Sequence, residues 1–128
     1  MCCRAKLNLT KNFLRRNREK KSITVYKVLT RYGRSPYMNY AWCPGILSIN
    51  IDRIKKDTDI THGYHVWLSR KSAETHANRH NYCVVVPVHV RPKDVIGVGY
   101  FDDYGENDNA VFNRVSLHTR DYNRIFRS

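Results

Sequence analysis

Tyr82-Cys83-Val84-Val85-Val86-Pro87-Val88-His89-Val90 is the stretch that decides the fold. Five of its nine residues are valine, whose branched Cβ packs well on a pleated surface, so the segment reads as a strand. Pro87 has no N–H to give to a ladder, which predicts an edge position or a bulge there. Working outward, Arg91-Pro92-Lys93-Asp94 makes a turn, and Val95 to Tyr100 repeats the strand pattern. Beyond an acidic, glycine-containing loop at Asp102 to Asn109, residues Ala110 to Leu117 place Val111, Val115 and Leu117 on alternate positions.

Upstream of the valine strand, Arg70 to His80 contains neither Pro nor Gly and carries Ala73 and Ala77 one turn apart. Ser69 stands where it can accept from the free amides of the first turn, so this segment is the expected helix. Gly63 to Leu68, Ile46 to Ile51 and Ile23 to Leu29 are further strands, the last with Ile23, Val25 and Lys27 on one face. Asp52 to His62 is polar and is expected as a loop or a short helical turn. Many strands and one helix predict an α+β fold: a single small domain, mostly an antiparallel curved sheet with one principal helix against it. A chain of 128 residues can bury enough surface for one such core.

Charge divides the chain. Residues 1 to 34 hold eleven of its 23 Lys and Arg and one acid, Glu19, and so carry +10 of the formal +12. Residues 11 to 21 show two apolar side chains among charges and no sustained helical stripe. They are expected as a solvated basic arm spanning 1–22, followed by the α+β domain at 23–128. A polyanion or an acidic protein face is the natural counterpart of such an arm. The candidate binding cations are Arg15, Arg16, Arg18, Lys20 and Lys21 in the arm, with Lys27, Arg31 and Arg34 beyond it.

The longest apolar run, Val84 to Val88, is far too short to cross a bilayer, and Met1-Cys2-Cys3 leads into charge rather than into a signal sequence. A cytoplasmic protein without a membrane partner is expected. Cys2, Cys3, Cys43 and Cys83 have no framework spacing and are read as free thiols. His76 and His80, four apart on the helix and followed by Cys83, with His62 and His65 nearby, have the donor types of a metal site. They lack the glutamate of a His-Glu-x-x-His hydrolase and a converging second pair, so no metal or other cofactor is expected. Cys43 and Cys83 lack an assignable imidazole partner, so no catalytic residue is assigned. Tyr37, Tyr40, Trp42, Tyr64 and His65 are carried as binding candidates, because rings beside cations can stack a base or similar ring while the cations hold phosphate. The alternative for these rings is that they fill the core of a small sheet protein.

The order Ile23-Thr24-Val25-Tyr26-Lys27-Val28-Leu29, Ser35-Pro36-Tyr37, Gly63-Tyr64-His65-Val66-Trp67, Ala73 in the following helix and Val84-Val85-Val86-Pro87-Val88 resembles a group of small proteins of phages and mobile elements. The resemblance covers most of residues 23 to 100. It implies an accessory protein that binds and modulates a host protein or nucleoprotein, in host takeover or anti-defence; the long basic arm is a departure from the group. Direct binding of DNA or RNA through the arm is the second expectation. A third comes from a loose likeness to ADP-ribosyltransferases, which implies a strand-borne Tyr26 and Lys27 and a later Tyr64 and His65 gripping a dinucleotide. Against that likeness, Lys27 replaces the usual first-strand residue, no Ser-Thr-Ser segment follows, and the late glutamate is missing.

Overall fold

The computed structural model describes residues 3–35, 41–79, 83–101 and 108–126. Its valine strand, Cys83–Val90, lies full length against Ile23–Thr30, with Val25 opposite Val88 and Lys27 opposite Val86. In chain order the elements are β1 (Cys3–Ala5), α1 (Leu7–Arg16), β2 (Ile23–Thr30), β3 (Gly45–Ser48), β4 (Thr58–Ile60), β5 (Tyr64–Trp67), α2 (Arg70–Asn78), β6 (Cys83–Val90), β7 (Val95–Phe101), β8 (Asn109–Phe112), β9 (Arg114–Leu117) and α3 (Thr119–Phe126). The strands form one antiparallel sheet in the order β3-β9-β6-β2-β5-β8-β7-β1-β4. The α+β class, the single small domain and the helix at Arg70–Asn78 are as the sequence predicts. Ser69 Oγ accepts from the Ser72 amide at 3.2 Å, which satisfies one of the orphan donors of α2.

Pro87 is accommodated because β6 meets β9 only through His89 and Ser116, so most of that side of β6 makes no ladder. The segment Ala110–Leu117 is two strands rather than one, broken at Asn113, whose amide nitrogen donates to the Asp94 carbonyl. The polar stretch 52–62 supplies the short edge strand β4, which the sequence reading missed. Among the described residues, three apolar clusters form the core. The largest gathers Phe13, Val25, Leu29, Val88 and Phe112; a second, around Trp67, Ala73 and Phe101, lies under α2.

Residues 3–16 correct the expectation of a solvated arm over 1–22. β1 inserts between β7 and β4, with Cys3 opposite Phe101 and Ile60. Gly99 allows this close approach, since a Cβ there would collide with the Arg4 carbonyl. α1 then packs on β7: Phe13 is 2% exposed and meets the Phe112 ring edge-on at 5.9 Å. Thr10 is buried, and its hydroxyl accepts from the Val98 amide while donating to the Lys6 carbonyl, both at 2.9 Å. The apolar stripe that drives this helix begins at Leu7 and Leu9 and continues through Phe13 and Leu14, so a window opened at residue 11 cuts it in half. Asp57, fifty residues away, accepts from the Leu7 amide at 2.8 Å and caps the helix in place of a local acid.

Candidate functional site

Two features of the surface gather most of the candidate residues. The first is a pocket at the place where β2 and β5 part. These strands share a single pair, Tyr26 with Trp67. Continuing that register would bring Lys27 opposite Val66 and Val28 opposite His65, but the ladder stops there. Lys27 crosses the opening instead and donates from Nζ to the His65 carbonyl at 2.8 Å.

The resulting cavity holds about 370 Å³, within the range of small-ligand sites. Its walls are aromatic. Trp42, 4% exposed, contacts the Tyr64 ring edge-on at 5.5 Å, and its own ring lies 4.9 Å from Lys27 Nζ. Tyr64 is steadied by donating to the Ser48 carbonyl at 3.3 Å, and burial pushes its phenol upward in pKa. Trp67, buried on the far side, packs against His76 and Phe101. Gly63, at φ +120°, forms part of the rim where a Cβ would lie 2.5 Å from Val111 Cγ1, so the close turn into β5 requires glycine.

The electrostatics of this cavity follow from burial. No carboxylate among the described residues lines it. Desolvation therefore brings the Lys27 amine from 10.5 down to about 7, which leaves it divided between ammonium and amine at neutral pH. His65 also sits below its ordinary value, first through burial and then through the Lys27 charge, while hydrogen bonds to the Ile60 and Gly63 carbonyls oppose the shift. Its ring nitrogens lie 3.0 Å and 3.2 Å from those two oxygens, so a neutral ring satisfies one of them as donor. Asn109, 2% exposed, donates from Nδ2 to the Val66 carbonyl at 3.2 Å, which fixes the amide's orientation. Its Oδ1 is buried without a hydrogen-bond partner.

The second feature is a groove of about 790 Å³ in which Arg15, Arg18, Lys20 and Lys21 meet Arg53, Arg91 and Lys93. Leaving α1, the chain turns through Asn17, whose amide nitrogen and side chain both return to the Phe13 carbonyl. That reversal brings the basic run beside the Arg91–Lys93 turn. Arg53 is held by the Val95 carbonyl at 3.1 Å and the Lys93 carbonyl at 2.7 Å. Arg91 makes a two-pronged pair with Asp94 at 2.6 and 3.0 Å, which raises the guanidinium pKa. Arg15, Arg18, Lys20 and Lys21 are exposed, and no ion pair among the described residues neutralises them or Lys93.

The structure thus distributes the sequence candidates over two places. Arg15, Arg18, Lys20 and Lys21 line the groove; Arg16, one position round the helix, faces a separate hollow with Leu68 and Ser69. Lys27, Trp42, Tyr64 and His65 meet in the pocket, where Lys27 is buried rather than presented to phosphate on the surface. Arg31 and Arg34 are exposed in the turn after β2 and line neither. Tyr37 and Tyr40 lie outside the described residues. The groove's Arg53, Arg91 and Lys93 were missed, because only the fold brings them to the basic run. Asn109 was missed because its role depends on the strand pairing of β8.

The histidine and cysteine candidates separate in the same way. His76 faces inward, 3% exposed against Trp67 and Phe101, and not outward on a polar helix face; His80 is outside the described residues. His89, His118 and Asp121 bring ligand-type atoms within 4.8 Å of one another. The two imidazoles are stacked with centroids 4.0 Å apart and planes at 19°, an arrangement in which their in-plane lone pairs run side by side instead of converging. Arg120 and Arg124 flank them. Cys3 is buried, and burial raises the Cys83 thiol, which disfavours the thiolate. Among the described residues, no helix is long and apolar enough to cross a membrane. Compared with family models, curated proteins and solved structures, the chain matches none of them.

Proposed function

We propose that the protein is a small accessory binding protein, of the phage or mobile-element kind, which modulates a host protein or nucleoprotein by laying its cationic groove against a polyanionic face. The observation that carries this reading is the convergence of seven cations from three chain segments on one groove, whose described lining residues include no carboxylate; of the seven, Arg91 is paired, with Asp94. Arg15 comes from the last turn of α1, and Arg18, Lys20 and Lys21 from the turn after it, whose backbone is tied by the Asn17 and Lys20 amides, so the backbone that presents them is already ordered. Arginine and lysine contacts of this kind release counterions and make association fall steeply with salt.

Direct binding of a nucleic acid is the second reading. It is favoured by concavity, since a basic groove can follow a phosphate backbone without reading its sequence. Among the described residues the groove has no aromatic lining, so base stacking would have to come from elsewhere.

The deciding experiment is affinity capture from host extract with and without nuclease. A stoichiometric protein partner that survives nuclease supports the first reading, and loss of all captured material after nuclease supports the second. Retention of the same partner by Arg15→Glu/Arg18→Glu/Lys20→Glu would contradict both, because the groove would then not be the docking element.

A further inference from the structure

The pocket between β2 and β5 shares no lining residue with the groove, so it calls for an occupant of its own. Three properties define that occupant. The walls are two indoles and a phenol, which favour a flat aromatic body. Lys27 Nζ, with three hydrogens as ammonium, uses one on the His65 carbonyl and has no carboxylate partner among the described residues. Asn109 Oδ1, fully enclosed, is an acceptor with nothing to accept from.

We propose that this pocket binds a planar heteroaromatic carboxylate, whose anion pairs with Lys27 and whose ring N–H is accepted by Asn109. One amine matches one negative charge; a phosphate monoester, with a second charge and a third oxygen, would find no further lysine or arginine among the described lining residues. A neutral aromatic would bind against the uncharged amine and gain no charge-assisted hydrogen bond from it. The inference stands independently of the groove's function.

Binding of such a ligand restores Lys27 toward its ordinary basicity, so complex formation takes up a proton at any pH where the free amine is largely neutral. Isothermal titration with indole-3-carboxylate, in two buffers of different ionisation heat, reads this directly. At pH 8 uptake should approach about one proton per ligand, and at pH 6, where the amine is already charged, it should fall to nearly zero. Indole itself should bind about 10- to 100-fold more weakly than its carboxylate, the ratio a charge-assisted hydrogen bond gives. Lys27→Met should abolish that preference, and Asn109→Ala should weaken indole-3-carboxylate relative to 1-methylindole-3-carboxylate. Absence of binding, equal affinity for indole and its carboxylate, or binding without pH-dependent proton uptake in the unmodified protein would overturn the proposal.

Discussion

Lys27 Nζ donates a 2.8 Å hydrogen bond to the carbonyl of His65, joining β2 to β5 at the point where their ladder ends. A lysine thus closes one end of a split in the middle of the sheet, and the pocket is the space that remains. The bond holds the amine in place whichever protonation state it adopts, because ammonium and amine both have hydrogens to donate. Burial, not the bond, sets the proton affinity.

Stability should therefore rise with pH above neutrality. The folded state holds Lys27 at about 7 whereas the unfolded chain holds it near 10.5, so between those values the unfolded state binds more protons and each step upward in pH favours folding. His65, also depressed, acts in the same direction below about pH 6.5. Urea unfolding of the wild type should show stability increasing from pH 7 to 9.5, by roughly 1 kcal/mol or more. In Lys27→Met that gain should be largely lost; an equal gain in the variant would assign the pH dependence to other groups.

The amino-terminal segment should be indispensable to the fold. Phe13→Ala empties a site enclosed by Phe112 and the β7 face and should cost about 3–5 kcal/mol by urea unfolding. Removal of residues 1–21 should abolish the cooperative transition, because it takes away β1, α1 and their bonds to β7. A truncated protein that melts at the wild-type temperature would restore the detachable arm.

Asp57 should stabilise α1 from a distance. Its carboxylate accepts from the Leu7 amide at the helix start, while its ion pair with Lys6 is long, at 3.8 Å, and exposed on both sides. Asp57→Ala should cost about 0.5–2 kcal/mol. Asp57→Asn, which keeps an acceptor at the cap, should recover much of the loss, and Lys6→Ala should change stability by less than about 1 kcal/mol. If Lys6→Ala and Asp57→Ala cost the same, the ion pair rather than the cap is the stabilising contact.

The sheet was legible where strands were long and branched. Val84 to Val90 and Ile23 to Leu29 announce themselves by residue type, and their mutual pairing is the backbone of the fold. The helix at Arg70–Asn78 was legible from Ser69 and the two alanines. β1 and β4 were not, since three-residue edge strands have no period to read, and Cys3 and Ala5 become core only through the glycines of β7. Half of each candidate site was visible as residue type: four groove cations from their clustering, Lys27 and the rings from their chemistry. The other half, Arg53, Arg91, Lys93 and Asn109, is assembled by strand order and carries no local signal.

The docking role of the groove is tested most directly by mapping where a polyanion touches the protein. Titration of ¹⁵N-labelled protein with a twelve-nucleotide oligothymidylate and, separately, with oligoglutamate should shift the amides of residues 14–21, Arg53, Arg91 and Lys93. It should leave Arg4, Arg70 and Arg124, cations elsewhere on the surface, largely unmoved, and the shifts should shrink as salt rises from 50 to about 200 mM. Perturbations spread evenly over every surface cation, or centred away from the groove, would contradict the account.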